Sequence, residues 1–305
     1  MTERGTRLSG ALIVAVAAVA FSGKAIIVKL AYRYGVDAVA LLALRMIFAA
    51  PLFLALAWWD NRRERREPLA RADIRAIAML GFIGYYLASY FDFLGLQYVT
   101  AALERLLLFI HPTFVLLLSA LFFKRRITAR DVVAVVLSYL GIALVFGHDV
   151  ATQPGNVVLG SFWVLLSALF YAAYLMGSGR VVGRVGSIRF SCYAGLVSCL
   201  AVIVHYAVTR DIGAIFRQPL PVYNLSMLMA AVSTVLPIVL TSEGIRRIGA
   251  SHASIVASLG PIATIFLGAI FLDEPITALQ LGGAALVLAG ILAISLQKKA
   301  ETRKG

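Results

Sequence analysis

The sequence predicts an all-α polytopic membrane protein with ten transmembrane helices, arranged as two inverted five-helix repeats. Three observations predict this fold: an excess of apolar residues, a segment that occurs twice, and a one-sided distribution of positive charge. The 305 residues are 61% hydrophobic and 14% charged, with a mean hydropathy of +0.90. Soluble domains are about 45–50% apolar and about 25% charged. A soluble core could not bury this excess, so we expect the chain to cross a lipid bilayer many times.

The repeated segment comprises residues 95–146, which recur 149 positions later without a gap. Pro112 aligns with Pro261, and Thr128 aligns with Thr277 inside an Ile-Thr-Ala turn that both copies contain. Each copy consists of an apolar helix, a short polar turn and a second apolar helix. A repeat at a fixed distance predicts two copies of one structural unit.

Positive charge is concentrated on one side of the predicted membrane. If the N-terminus is inside, 21 of the 28 Lys and Arg residues fall in cytoplasmic segments, four fall in outer segments and three lie within spans. The turns of the two repeats also differ in sign, because Lys124-Arg125-Arg126 of the first corresponds to Asp273-Glu274-Pro275 of the second. Short loops rich in Lys and Arg stay in the cytoplasm. We therefore predict cytoplasmic termini, a position in the inner cell membrane, and repeats that are upside down relative to each other.

Ten segments approach the length of about 20 apolar residues that a membrane-spanning helix needs. They are residues 8–30, 38–58, 74–93, 99–122, 132–147, 158–176, 188–208, 222–241, 251–272 and 278–297. The fifth is the shortest, and a polar linker at 152–156 separates five spans in each half. The predicted domains are therefore a first repeat at 8–147 and a second repeat at 158–296. Because the number of spans per repeat is odd, the second repeat enters the membrane from the opposite side.

The first span admits a second interpretation, as a cleaved signal peptide. Arg4 and Arg7 followed by the apolar residues 8–20 fit such a leader. Apolar residues resume at 26–28, however, and cleavage would leave the first repeat one span short. We therefore expect an uncleaved first helix.

Several features carry a resemblance to a known family. They are Arg45 in the second span, Pro112 and Pro261 in the fourth and ninth spans, the turns that open the fifth and tenth spans, and Gly141 and Gly290 within those spans. On these features the chain resembles the drug/metabolite transporter superfamily in its EamA-type branch, over residues 8–147 and 158–296. Members of that branch are mostly exporters of amino acids or other small metabolites, and the resemblance implies a similar activity here.

The first repeat differs from the commoner pattern of this branch at two places. Its fourth span opens with Glu104-Arg105, where small or apolar residues are more usual. Its turn has Lys124-Arg125 where a Gly-Glu pair is frequent, whereas the second repeat has Asp273-Glu274. Both differences add charge to the first repeat.

Ionisable residues inside apolar spans are costly and mark candidate functional sites. Six occur in or close to the spans of the first half: Lys24, Arg45, Asp92, Glu104, Arg105 and His111. Two interpretations are open, an ion cluster that fixes helix packing and the polar lining of an outward-facing cavity. Glu104 and His111 share a helix face, where they could relay a proton or receive a substrate amine. Glu104 could instead pair with Arg105 or Lys24.

Aromatic side chains recur at helical spacing in two spans. Tyr86 and Tyr90 share a face of the third span, and Trp163 and Tyr171 share a side of the sixth. Such stripes either face lipid and pack helices, or they form the walls of a cavity, since a mid-span tyrosine hydroxyl needs a partner. The candidate substrate cavity comprises Lys24, Tyr86, Tyr90, Glu104, His111, Trp163 and Tyr171.

Two prolines are candidate hinges. Pro112 and Pro261 interrupt helix hydrogen bonding at equivalent points of opposed repeats. A static kink would give the same pattern. We expect the third, fourth, sixth and ninth spans to line the cavity, with contributions from the first and eighth.

Inverted repeats in a membrane are typical of secondary transporters. The sequence therefore predicts a secondary transporter that exports small amphipathic metabolites, amino acids first, by alternating access. The alternatives are a passive facilitator and, in another class, an intramembrane enzyme acting on lipid phosphates. No catalytic constellation, metal site or cofactor motif is present, and the topology accounts for the positive charge without nucleic acid. The expected partners are a small-molecule substrate and the bilayer, with proton coupling left open and the chain a monomer or a homodimer.

Overall fold

The computed structural model describes residues 3–63, 68–124, 127–153 and 155–301, and over these ranges the chain forms helices and no β-strand. Within them, nine helices are long and apolar enough to cross a membrane, and a shorter apolar stretch at Ala278–Gly290 supplies the tenth crossing. The predicted all-α polytopic fold is confirmed. Arg125 and Arg126 of the predicted positive turn, and Pro154 of the linker, lie outside the described residues.

We number the ten membrane helices in chain order. Their bounds are α1 Glu3–Tyr32, α2 Ala38–Arg63, α3 Arg71–Gly95, α4 Ala101–Phe123, α5 Ala129–Thr152, α6 Val157–Val185, α7 Ser187–Thr209, α8 Leu220–Gly249, α9 250–272 and α10 Ala278–Glu301. A short 3₁₀ helix, Ile212–Arg217, lies between α7 and α8. Gly249 ends α8 at a φ of 77°, a left-handed value that favours glycine.

Some helices extend beyond the apolar stretches that predict them. The sequence predicts α5 at 132–147, whereas the helix begins three residues earlier and continues to Thr152. Thr128 starts it with a capping box, in which its side chain accepts from Asp131 N–H and the Asp131 carboxylate accepts from Thr128 N–H. The apolar stretch marks the membrane core, but polar residues on either side form the same backbone hydrogen bonds and continue the helix.

Irregular backbone occurs at equivalent places in the two halves, again 149 residues apart. A π-helical turn at Phe82–Leu87 in α3 corresponds to one at Ala231–Val235 in α8. The helix α4 is interrupted at 109–110 and α9 at 258–259. Turns of the π type are rare and are frequent at functional sites. The repeat is therefore present in the backbone as well as in the sequence.

The turns that lead into α5 and α10 also match. Lys124 and Asp273 each end the preceding helix in the left-handed conformation, with φ of 53° and 60°. Thr128 and Thr277 then cap the following helices through their side chains. The two turns share this left-handed first residue and a threonine cap, although Lys124 and Asp273 carry opposite charges.

Corresponding helices of the two repeats run in opposite directions. Arg210, at the end of α7, lies 3.5 Å from Asp37, just before the start of α2. Glu274, which follows α9, accepts a hydrogen bond from Ala101 N–H at the start of α4. Helices α2 and α4 thus begin where their counterparts end, so the second repeat is inverted. We call this end of the bundle the Glu274 end, and the opposite end, which holds Arg184 of α6, the Arg184 end.

The helix packing is symmetric under exchange of the repeats. Helix α1 packs on α8 and α9 as α6 packs on α3 and α4, while α2 pairs with α7 and α5 with α10. Helices α5 and α10 approach closely through Gly141 and Gly283, where a side chain on either would clash with the backbone of the other. The arrangement encloses α1 between α4, α8 and α9.

Candidate functional site

A group of charged side chains lies buried between α1, α3 and α4. Lys24 Nζ lies 2.5 Å from Asp92 Oδ2 and 3.3 Å from Glu104 Oε1. The three residues are 7%, 2% and 0% exposed, respectively. One ammonium group therefore bridges two carboxylates in the apolar interior, where an unpaired charge would cost several kcal/mol. Of the pairings that the sequence allows for Glu104, the structure shows the one with Lys24.

Arg45 of α2 reaches the same region from the opposite side. Its Nε donates to Thr234 Oγ1 at 3.0 Å, and its guanidinium lies 5.5 Å from the centroid of the Phe93 ring. Thr234 belongs to the π-helical turn of α8 and donates to Met229 O, five residues earlier. The wider π turn places this hydroxyl where it can accept from Arg45.

Arg105 of α4 points toward the break in α9. Its Nη2 donates to Ser22 Oγ at 3.2 Å, and its guanidinium lies 5.5 Å from the ring centroids of both Phe21 and Phe109. Ser22 Oγ also lies 3.0 Å from Gly260 O. A Cβ at Gly260 would lie 2.9 Å from Arg105 Nη2, so a larger residue where α9 resumes would displace the Arg105 guanidinium.

We call Lys24, Arg45, Asp92, Glu104 and Arg105 the charged cluster. Asp92 is its centre, because it interacts electrostatically with the other four. Several buried polar atoms of the cluster have no hydrogen-bond partner among the described residues: Arg45 Nη1, Asp92 Oδ1, both carboxyl oxygens of Glu104, and Arg105 Nε. Glu104 forms an ion pair with Lys24 and interacts electrostatically with Asp92 and Arg105. Buried polar groups without hydrogen bonds are uncommon and indicate that water, an ion or a ligand belongs beside them.

His111 lies at the start of the second half of α4 and belongs to a different contact. Its Nδ1 donates to Leu108 O at 2.9 Å, and its ring meets that of Tyr171 in α6 edge-on at 5.2 Å. Over the ranges that the structure describes, no hydrogen bond or ion pair joins His111 to Glu104. The structure therefore joins Lys24 to Glu104 and His111 to Tyr171, and Arg105 interacts electrostatically with both pairs.

The contacts at the two helix breaks are equivalent in the repeats. Ser22 corresponds to Tyr171 in the repeat, and His111 corresponds to Gly260, since each pair lies 149 residues apart. The first helix of each repeat therefore contacts the break in the fourth helix of the other repeat. In one repeat this contact is aromatic, and in the other it is polar and includes Arg105.

The remaining predicted cavity residues pack α3 against its neighbours. Tyr86 Oη is hydrogen-bonded to His205 Nδ1 of α7 at 3.0 Å, and the Tyr90 ring stacks on that of Tyr86 at 6.3 Å. Trp163 of α6 stacks on Phe91 at 5.5 Å with nearly parallel rings. The structure thus distributes the seven predicted residues over different contacts of α1, α3, α4 and α6.

Sequence reasoning did not single out Ser22 or Thr234, which hold the two arginines. A signal for both was available in the repeat. Extending the 149-residue alignment upstream pairs Ser22 with Tyr171 and Thr234 with Tyr85. Asp92 was recognised as a charge within a span, but only the structure shows it at the centre of the cluster.

The two candidate hinges lie just beyond the helix breaks. Pro112 and Pro261 each occupy the first turn of the half-helix that follows, His111–Phe123 or Gly260–Leu272. A backbone N–H in that position has no hydrogen-bond partner within the helix, so a proline there costs no hydrogen bond. Each interruption precedes its proline. Movement about Pro112 and Pro261 stays a prediction.

Contacts at the Glu274 end join the two repeats. Both carboxyl oxygens of Glu274 accept from Ala101 N–H, at 3.1 and 3.2 Å, and Lys29 Nζ lies 3.3 Å from Glu274 Oε1. Lys29 also donates to Val99 O at 2.7 Å. A carboxylate at a helix N-terminus is stabilised by the helix dipole. We call Lys29, Ala101 and Glu274 the latch. A cavity of about 430 Å³, lined by Lys29, Arg33 and Glu274 among others, adjoins it.

The latch and the charged cluster share one short helix. The first half of α4, Ala101–Leu108, begins at the latch and carries Glu104 and Arg105 in its first two turns. Thr100 caps this half-helix by accepting from Leu103 N–H and is itself fixed by donating to Asp149 Oδ2 at 2.6 Å. A displacement of the half-helix would therefore alter the latch and the cluster together.

Comparisons with known proteins agree with the resemblance seen in the sequence. Residues 8–147 and 158–296 each match the EamA-like transporter family. The chain is 32% identical over 289 residues to "Uncharacterized transporter YcbK" of Bacillus subtilis (strain 168), covering 93% of this chain and 92% of that protein. It is 23% identical to "WAT1-related protein At3g28070" of Arabidopsis thaliana, covering 90% of this chain and 84% of that protein.

A solved crystal structure has the same overall fold. It matches with a TM-score of 0.61 over 96% of this chain and 98% of that one, at 16% sequence identity, and this likeness shows the fold alone. The family match covers both halves of the chain and therefore both inverted repeats. This protein is a member of the EamA-like transporter family, within the drug/metabolite transporter superfamily.

Proposed function

We propose that the protein is a secondary transporter that exports small amphipathic metabolites, amino acids first among them, by alternating access. The observation that carries the proposal is the charged cluster, which lies buried inside a bundle of two inverted repeats. Charged residues within membrane helices mark solute and ion pathways. Membership of a transporter family supports the same activity.

The interrupted helices supply the moving parts of this mechanism. Broken helices in secondary transporters form the solute site near the middle of the membrane. Here Arg105 on one half-helix lies against Gly260 on another. Rocking one repeat against the other would break this contact and form it again. In one state the latch closes the Glu274 end. In the other state the latch opens and the Arg184 end closes, with Pro112 and Pro261 as hinges.

The charge distribution supports an orientation for this movement. The excess of Lys and Arg at the Arg184 end favours the cytoplasm on that side. The Glu274 end then faces outward from the inner cell membrane, and both termini are cytoplasmic. Opening of the latch would release the substrate outside the cell.

Counterflow into liposomes that contain the purified protein tests the proposal. We expect a panel of labelled amino acids to include at least one that accumulates faster than in empty liposomes. Glu104→Gln should slow that uptake at least about tenfold, because it removes one of the two carboxylate partners of a buried ammonium group. Arg217→Gln is the control, since Arg217 pairs with Asp211 in an exposed loop. Equal uptake by empty liposomes, or a wild-type rate in Glu104→Gln, would refute the proposal.

The same liposomes distinguish proton coupling from passive facilitation. In a proton-coupled transporter, an imposed pH gradient drives the substrate above its external concentration. In a facilitator, the substrate equilibrates regardless of the gradient. We expect proton coupling. Movement of the cluster with the solute would expose the carboxyl groups of Asp92 and Glu104 to water on one side of the membrane at a time, where they could exchange protons.

A further inference from the structure

The charged cluster is short of one negative charge. It contains three cationic side chains and two carboxylates, and every one of them is more than nine-tenths buried. Lys24 pairs with both carboxylates. No third carboxylate of the described residues forms an ion pair with Arg45 or Arg105. An uncompensated charge in an apolar interior is strongly unfavourable, so a bound monoanion would complete the cluster.

The two arginines also have hydrogen-bond donors to spare. Arg45 uses Nε to bind Thr234, while its Nη1 is buried without a partner in the described part of the chain. Arg105 uses Nη2 to bind Ser22, while its Nε is likewise buried and unpartnered there. The planar N–H groups of a guanidinium match the two oxygens of a carboxylate. The spare donors therefore indicate a carboxylate as the missing anion.

The surroundings of the arginines describe the rest of this ligand. Phe93 lies beside Arg45, and Phe21 and Phe109 lie beside Arg105. These rings suit an apolar body attached to the carboxylate. Neither carboxyl oxygen of Glu104 has a hydrogen-bond partner within the described ranges, so both suit a hydroxyl or other donor close to the carboxylate.

We infer that the charged cluster binds a monoanionic organic acid, whose carboxylate is held by Arg45 and Arg105 and whose hydrogen-bond donor meets Glu104. This inference rests on the proposed transport function and narrows its substrate to a monoanion, in place of the zwitterionic amino acids that the family resemblance puts first. A monoanion brings the site to neutrality. A zwitterion leaves the surplus positive charge in place, a cation increases it, and a dianion such as a phosphate monoester replaces it with a negative one.

A series of probes with one skeleton and different charges tests the inference. The probes are 3-phenyllactate as the monoanion, phenylalanine as the zwitterion, 3-phenyllactamide as the neutral form and phenylalaninamide as the cation. Each is titrated into the purified full-length protein in detergent, and the thermal unfolding midpoint is followed against probe concentration. We expect phenyllactate to raise the midpoint by several degrees and to have the lowest apparent Kd of the four.

Variants of the two arginines locate the bound probe. Arg45→Gln and Arg105→Gln should each weaken phenyllactate binding at least about tenfold, the loss expected for a hydrogen bond to a charged group. Arg217→Gln, in the exposed loop, should bind as the wild type does. If a glutamine variant does not fold, Arg45→Lys and Arg105→Lys keep the charge but lose the planar pair of donors, and they should weaken binding as well.

The inference is overturned by equal effects of the four probes, by a preference for the amide or the cation, or by no effect of any probe on the wild-type protein. It is also overturned if phenyllactate binds all arginine variants with unchanged affinity. Counterflow measurements distinguish failure of the anion-binding inference from failure of the proposed transport function. Transport of phenylalanine without binding of phenyllactate would refute the anionic substrate and leave the transporter standing, whereas absence of transport for every solute would remove the transporter itself.

Discussion

Lys24 connects three helices through one side chain, because it contacts Asp92 of α3 and Glu104 of α4 from its own position in α1. Both carboxylates are almost fully buried, and both approach the same ammonium group. Removal of one partner from a buried ion pair leaves a charge without compensation, which costs about 3–5 kcal/mol. The stability of this part of the bundle therefore depends strongly on a single residue.

We predict that Lys24→Met lowers the thermal unfolding midpoint of the purified protein, while Lys124→Met, at an exposed turn, leaves it nearly unchanged. The loss should approach the cost of an unpaired buried carboxylate, about 3–5 kcal/mol. In the double variant Lys24→Met/Asp92→Asn part of the stability should return, since one of the two negative charges is removed as well. Equal midpoints for Lys24→Met and wild type would show that the bridge is not stabilising.

Helices α5 and α10 pack backbone against backbone, and the contact depends on glycine in both. A Cβ on Gly141 would clash with the carbonyl oxygen of Gly283. Gly147 lies two turns further along α5, and a Cβ there would have no neighbour within 4 Å. The two positions share one helix and one residue type, so they differ in packing alone.

We predict opposite effects of alanine at these positions. Gly141→Ala should lower the unfolding midpoint, because overpacking a close contact costs about 1–3 kcal/mol. Gly147→Ala should keep or raise it, because alanine is favoured over glycine within a helix by about 1 kcal/mol. Midpoints measured in the same detergent test the pair, and a loss of stability in Gly147→Ala equal to that in Gly141→Ala would contradict the packing seen here.

The limits of sequence prediction are visible in α3. Phe82, Tyr86 and Tyr90 follow helical spacing, but the stretch contains the π-helical turn Phe82–Leu87. Such a turn inserts a residue and rotates everything beyond it relative to a regular α-helix. Spacing shows which residues share a face, and it does not show which neighbouring helix that face meets. The aromatic residues therefore could be grouped from sequence, whereas their contact with His205 of α7 could not.

Two inverted units in one chain give a definite arrangement of turns across the membrane. Lys124 and Asp273 occupy equivalent left-handed positions but should lie on opposite sides. We predict that Asp273→Cys reacts with a membrane-impermeant maleimide in intact cells and that Lys124→Cys reacts only after permeabilisation. Both variants are made in a background with Cys192→Ala and Cys199→Ala. Labelling of both from the same side would contradict the orientation and the inversion together.

The sequence predicts the architecture of the whole molecule much better than it predicts the site. Apolar length, the repeat and the family resemblance each follow from local pattern, and the all-α fold and the family are confirmed. The pairing of Lys24 with Glu104 could be anticipated as one of several options. For Ser22 and Thr234 the repeat is the only signal, and it does not show their contacts, because these depend on helix rotation and on a π-helical turn that apolar patterning does not encode.

The cluster breaks the chemical equivalence of the two repeats. Three of its residues have alanine as their counterpart 149 positions later: Ala173, Ala194 and Ala253. Lys29 of the latch likewise has the uncharged Ser178 as its counterpart. If the two repeats were chemically identical, the inward-open and outward-open forms would have equal free energies. The ionic contacts of Lys24 and Lys29 thus have no counterpart in the second repeat, so under the proposed mechanism the two forms would differ in free energy even without a substrate.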